Sequence, residues 1–352
     1  MPGFISWITN LFSAHPPEHP EVAETRLFNP AKQTLAGEHD TPPADLIAHL
    51  EDHLFSWLLD AQPSALRANA TTDEPVLREL ERRLTQNDME ELPRRPGSLP
   101  KLMQALAGAT TERKQITDII LSDPALTDQL LQVANSPYFR PGDYQIESVD
   151  QAVFILGIDG IRNVISAAVM RPMMAARNSR EALFAQRAWR WGLTCARAAE
   201  LIARLHKDDT SAHFMVGLLP SLAYITIRRE LTRIARAQGD GNEPSAAVMR
   251  AALARYQWTA CQLLANVWNL PPVYHAWLLA AERPALKQPH SALTDGLLLG
   301  TREVLRHARQ RNLSEPDLQR ILHITPEQVA SLRRTLLAML NEGKPAQAGV
   351  QS

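Results

Sequence analysis

The feature that most constrains this chain is a pair of neighbouring segments, Asp118 to Phe139 and Ser148 to Met170, in which helix starts and helix stops follow one another closely. Ile116, Ile119 and Ile120 close one apolar helical face. Asp123 then stands where an N-cap accepts the orphan amides of a new helix, and Pro124 takes the first helical position, where its missing N–H costs nothing. Leu126, Leu130, Leu131 and Ala134 continue the apolar face until Asn135, Ser136 and Pro137 stop it. In the second segment Ser148 and Gln151 have capping-box spacing, and Gly157 suits a helix end. Asp159 is placed to cap a further helix carrying Ile161, Val164, Ile165 and Ala168. Apolar stripes of helical period between such caps predict an all-α fold of packed short helices.

These segments resemble the HDOD family, the HD-related output domain of bacterial signalling proteins. The resemblance also rests on LPRRPGSLPKLMQAL at Leu92 to Leu106 and on WNLPP at Trp268 to Pro272, and it covers residues 92–284. It implies an HD-like helical bundle with additional N-terminal and C-terminal helices. Asp123, Pro124, Asn135, Ser136, Gly157, Trp268 and Pro271 are the motif positions to which it gives structural roles.

The chain has 352 residues, 45% of them hydrophobic, enough to bury at least one large core. A formal net charge of -1 exerts no global pull toward nucleic acid or anionic lipid. Cys195 and Cys261 each lie within apolar helical patterns and read as buried small hydrophobes in a reducing compartment. No apolar window is expected to span a bilayer, and MPGFISWITNLF at Met1 to Phe12 lacks the basic start and cleavage site of a secretory signal. The expectation is a cytoplasmic protein.

Residues 1–43 read as a terminal helix and a Pro-rich linker. Phe4, Ile5, Trp7, Ile8, Leu11 and Phe12 suit packing on the protein itself, with peripheral membrane contact through residues 4–12 the weaker reading, since no basic residue accompanies them. Residues 44–91 are expected to form a helical hairpin: Leu46, Ile47, Leu50, Leu54, Trp57 and Leu58 on one helix, and Val76, Leu77, Leu80 and Leu84 on another capped by Asp73. His49 and His53 share a face at metal-ligand spacing, but no third ligand accompanies them and a solvated polar face is the simpler reading.

After the family region, residues 285–340 are expected to form C-terminal helices, and 341–352 a disordered tail. Ser314 to Asp317 offers a cap, and Thr325, Pro326 and Gln328 start another helix. Val329, Leu332, Leu336 and Leu340 then recur at near-heptad spacing, suited to packing on the family domain or pairing with another chain. Arg302, Arg306, Arg309, Arg311, Arg320, Arg333 and Arg334 make this end basic, yet no recognition-helix motif appears and nucleic-acid binding is not expected.

The resemblance implies where chemistry would sit. Metal-dependent relatives in the HD superfamily hold divalent ions with His residues and a His-Asp pair, activating water against a phosphoester. The corresponding positions here are Trp191, then Pro220 and Ser221 in GLLPSLAYITI, and Gln257 or Trp258. An indole has only an N–H donor, and proline has no side-chain donor atom at all. The tandem His of many members corresponds to Ala280, Ala281 or Glu282, with His275 a turn or more away. His206 and His213 fall at helix ends, and Asp208 and Asp209 read as caps.

No GxSxG elbow, Walker loop or GxGxxG occurs. The sequence therefore predicts no catalytic residue, no metal and no cofactor. The expected function is a non-enzymatic bacterial signal-transduction adaptor that binds signalling proteins, with Trp189, Trp258, Trp268, Tyr274 and Trp277 offered to the core or to a partner groove. The alternative is an enzyme or nucleotide sensor, phosphohydrolase-like or cyclic-nucleotide-binding, using a residual pocket.

Overall fold

The computed structural model describes residues 42–67, 74–95, 97, 113–136, 138–140, 145–238, 243–283 and 290–341. Among them are thirteen helices and no strand, so the fold is all-α. The expected helix at residues 4–12, most of the linker, the Asp73 cap, residues 98–106, Pro137 and the tail from 342 lie outside the described residues.

The capped series forms α4 (Arg113–Leu121), α5 (Pro124–Ala134) and α6 (Val149–Met174). Asp123 Oδ1 accepts the Leu126 N–H at 3.1 Å, with Pro124 directly behind it. Asn135 ends α5 and also grips the returning chain: its Oδ1 accepts the Ile146 N–H at 2.7 Å, and its Nδ2 donates to the Ile146 and Leu131 carbonyls. Ser136, buried beside it, donates to the Val133 carbonyl at 2.6 Å. Ser148 Oγ accepts the Gln151 N–H at 3.1 Å, and Gln151 reaches back to the Glu147 N–H at 2.8 Å. Gly157, at φ 68° and ψ -178°, breaks α6 into two halves, a conformation costly for any residue with a Cβ.

The core is built around α7 (Ser179–His206), which packs against α8 (Thr210–Ala237) on one side and α11 (Ala292–His307) on another. The approach of α11 depends on two glycines one turn apart. A Cβ on Gly296 would lie 2.5 Å from the Ala199 backbone, and one on Gly300 would lie 2.6 Å from the Cys195 Cα. Helices α9 (Ala246–Val267) and α10 (Pro272–Glu282) extend the bundle beyond α8, with Pro271 preceding α10 and Pro272 at its first position.

The N-terminal helices both lie against the bundle. α1 (Pro43–Leu59) buries Leu46, Leu50, Leu54, Phe55, Trp57 and Leu58 and lies against α7, α11 and α12 (Glu315–Ile321), joined through the short α2 (Pro63–Leu66). α3 (Glu74–Gln86) buries Val76, Leu80 and Leu84 against α8 and α9. Each apolar stripe is buried against the bundle.

At the C-terminal end, Ser314 caps α12 by accepting the Asp317 N–H at 3.2 Å, and Thr325 and Gln328 exchange bonds at the start of α13 (Pro326–Asn341). Val329, Leu332, Leu336 and Leu340 are buried, and α13 lies on α11 and α7. Its apolar stripe is therefore used inside the same chain, not presented to a second one. Two arginines of the basic end are closed by carboxylates: Arg302 by Glu303 and by Glu315 at 3.0 Å, and Arg333 by the same two at 3.0 and 2.6 Å.

Against the sequence expectation, α6 and α8 are long and apolar enough to cross a membrane by length and composition. In α8, 89% of that apolar window is buried within the protein, as is 56% in α6, so their apolar faces largely build the core.

Candidate functional site: an aromatic stack inside the bundle

Trp191 shares its helical face with Phe184, Ala188, Cys195, Ala198 and Ile202, all of them buried, and so turns into the bundle, where it is 3% exposed. Its indole N–H donates to Thr301 Oγ1 on α11 at 2.8 Å. Its ring lies on Tyr224 of α8, with centroids 4.9 Å apart and planes 7° from parallel. The Tyr224 hydroxyl donates to Gln257 Oε1 on α9 at 2.8 Å, and Phe55 of α1 leans against the phenol ring at 5.9 Å. Five helices thus meet through one continuous set of ring contacts and hydrogen bonds.

The charge state of the cluster follows from its burial. Burial, reinforced by the nearby Glu51 carboxylate, pushes the Tyr224 phenol well above its usual range, so it stays a protonated donor. Burial likewise raises the Cys195 and Cys261 thiols, which are then poor nucleophiles. Cys195 sits 3.7 Å from the Leu297 carbonyl and 3.9 Å from Thr301 Oγ1.

Pro220 and Ser221, both buried, lie inside α8. The Ser221 hydroxyl donates to the Leu218 carbonyl of its own helix at 2.7 Å and packs against the bare face of Gly192, one residue from Trp191. Trp191, Ser221 and Gln257 are therefore brought to one region, linked by Tyr224 and Thr301. Neither of those two linking residues is named by the sequence reading. Tyr224 was within reach, one turn beyond Pro220 on the same helical face. Thr301 was not, because it stands on a helix beyond the family region.

The histidines lie elsewhere. His213 is 1% exposed, with Nδ1 2.8 Å from the Asp209 carbonyl and its ring 4.1 Å from Trp277. Asp209 caps α8 through the Ala212 N–H at 3.0 Å. His275 Nδ1 meets Gln262 Oε1 at 2.9 Å. Burial first, then Arg311, lowers the His53 pKa. Among the described residues no group of three or more His, Cys, Asp or Glu side chains is gathered in a way that would hold a metal ion.

The WNLPP motif closes the domain on itself. Trp268, 2% exposed, donates its indole N–H to the Pro93 carbonyl at 3.0 Å, tying the far end of the family region to its start. Trp189 and Tyr274 are also buried, which removes them from any partner groove. The large apolar side chains that do reach the surface are others, among them Phe154 at 76%, Leu121 at 52% and Leu279 at 50% exposed.

Solved structures share this fold. A putative metal-dependent phosphohydrolase from Shewanella amazonensis SB2B aligns with a TM-score of 0.56 at 17% identity, over 78% of this chain and 99% of that one. An HDOD domain protein with unknown function from Geobacter sulfurreducens aligns with a TM-score of 0.53 at 18% identity, over 78% and 98%. No curated protein matches in sequence. The HDOD domain matches residues 92–284, more than half of the chain. The protein belongs to the HDOD family.

Proposed function

We propose that this protein is a bacterial, cytoplasmic signalling adaptor that acts by binding other proteins and does not catalyse the metal-dependent hydrolysis of HD-type enzymes. One observation carries the reading: the position that resemblance assigns to a metal ligand holds Trp191, stacked on Tyr224 and bonded to Thr301. A divalent ion that activates water needs several oxygen or imidazole donors with an open coordination position. Here the neighbouring donors, the Tyr224 hydroxyl and the Gln257 amide, are bonded to each other, and Ser221 is bonded to its own helix. The part left for such a protein is contact, and Phe154 is the most exposed large apolar side chain among the described residues to make it.

Two measurements test this. Metal analysis of the purified full chain, with a phosphodiesterase assay in added manganese, is expected to find neither stoichiometric metal nor turnover; either one overturns the reading. Affinity capture from the source bacterium, with the full chain and with a chain beginning near Asp88, is expected to recover a specific partner that Phe154→Asp fails to hold. Recovery of nothing above background by both baits removes the adaptor role.

A further inference from the structure

The segment between α6 and α7, the start of α7 and the second half of α8 border a cleft of about 140 Å³, lined by five arginines and three glutamates. Three of the arginines are closed by carboxylates. Arg177 meets Glu91 at 2.5 Å, and Arg233 meets Glu90 and the buried Glu230. Arg229 meets Glu181 at 2.5 Å and donates to the Met173 and Ala175 carbonyls.

The other two are not closed in this way. The Arg228 side chain is 14% exposed and its guanidinium lies over the Phe184 ring at 4.7 Å. Of its five N–H donors, one is bonded among the described residues, to the Arg180 carbonyl at 3.2 Å. Its nearest carboxylate, Glu243, is 3.9 Å away and is shared with Arg180 at 4.0 Å. Arg236, two turns further along α8, is exposed and has no carboxylate partner among the described residues. Arg228, partly exposed, and Arg236, exposed, thus hold guanidinium donors that no close carboxylate occupies, and an anion entering the cleft can accept from them.

We propose that this cleft binds the phosphate of a small phosphorylated metabolite or nucleotide, with Arg228 and Arg236 as its ligands. The cleft is too small for a whole nucleotide, whose pockets run to roughly 300–1,000 Å³. It admits the phosphate, and an adjoining cleft of about 470 Å³, which shares Glu91, Arg177 and Arg229 and is walled by Pro172 and Met173, receives the remainder. The site is remote in composition from the Trp191 stack, and binding here is independent of whether the protein is an adaptor.

The test is titration of the full chain, at low ionic strength, with inorganic pyrophosphate and separately with ADP, followed by calorimetry and thermal melting. Both ligands are expected to bind and to raise the melting temperature; tighter binding of ADP identifies a nucleotide source, and equal binding identifies the free phosphate. Arg228→Gln is expected to weaken binding by about tenfold or more through loss of charge-assisted hydrogen bonds, with Arg228→Lys recovering part of it. Arg236→Gln, at an exposed position that leaves the fold intact, is expected to weaken binding several-fold, while Arg78→Gln on α3 leaves it unchanged. Absence of binding by both ligands overturns the proposal, as does undiminished binding by Arg236→Gln and Arg228→Gln.

Discussion

The indole of Trp191 lies flat on the phenol of Tyr224, 4.9 Å away, and is held from the opposite helix by Thr301. Two helices of the family domain and one from beyond it are joined at that point, so the stack has a stability role that mutation isolates. Trp191→Ala is expected to cost about 3–5 kcal/mol in chemical denaturation, the usual range for emptying an aromatic core site. Tyr224→Phe keeps the stack and removes only the bond to Gln257, for about 1 kcal/mol. A Trp191→Ala loss no larger than that of Tyr224→Phe would show that the ring contributes little.

Gly300 is one of the two places where α11 comes closest to α7. Gly300→Val places its Cβ within 2.6 Å of the Cys195 backbone, and no flexible side chain is there to yield. The helix must then move outward, at a cost of roughly 1–3 kcal/mol, and the Trp191–Thr301 bond across the same interface lengthens. Loss of denaturation midpoint together with a red-shifted tryptophan emission checks both effects.

Glu230 is wholly buried and gathers Arg83 of α3 at 2.6 Å and the Glu91 backbone N–H at 2.9 Å. Without it Arg83 keeps only Glu79 and the Glu91 N–H loses its acceptor, so Glu230→Ala is expected to destabilise by about 1–3 kcal/mol. The damage should begin at α3 and residues 88–95, which hydrogen exchange detects as early loss of protection there. Uniform loss over the whole chain would instead mean that α3 and the bundle unfold as one unit.

Glu79 supplies a pH dependence whose sign is set by its arginines. Hydrogen bonds from Arg82 and then Arg83 pull its carboxyl down from the ordinary 4.5 to about 2. A depressed carboxyl adds stability that is complete above the ordinary value and is lost as pH falls toward about 2. The side chain is 26% exposed and solvent screens it, so the contribution is about 0.2–1 kcal/mol. Urea midpoints of the wild type and Glu79→Gln are expected to differ at neutral pH, to converge toward pH of about 2, and to differ less in high salt.

What the sequence settled by itself was local. Asp123, Ser148, Gly157, Ser314 and Thr325 could be placed as helix starts or breaks because each acts chiefly through backbone groups within a few residues, which the order of residues already fixes. That order also fixed which face of each helix is apolar, and hence that Trp191 turns inward. Which apolar face meets which was decided only by tertiary packing. The Trp191 donor finds its acceptor 110 residues later, α1 and α3 are covered by helices far along the chain, and the α13 stripe is buried by α7 and α11 of the same chain. The same holds for charge: Arg302 and Arg333 read as a basic surface in sequence and prove closed by Glu303 and Glu315, while Arg228 and Arg236 converge with no motif to mark them. A helix exposes a stripe to every neighbour alike, and only the competition among all surfaces for burial chooses its partner.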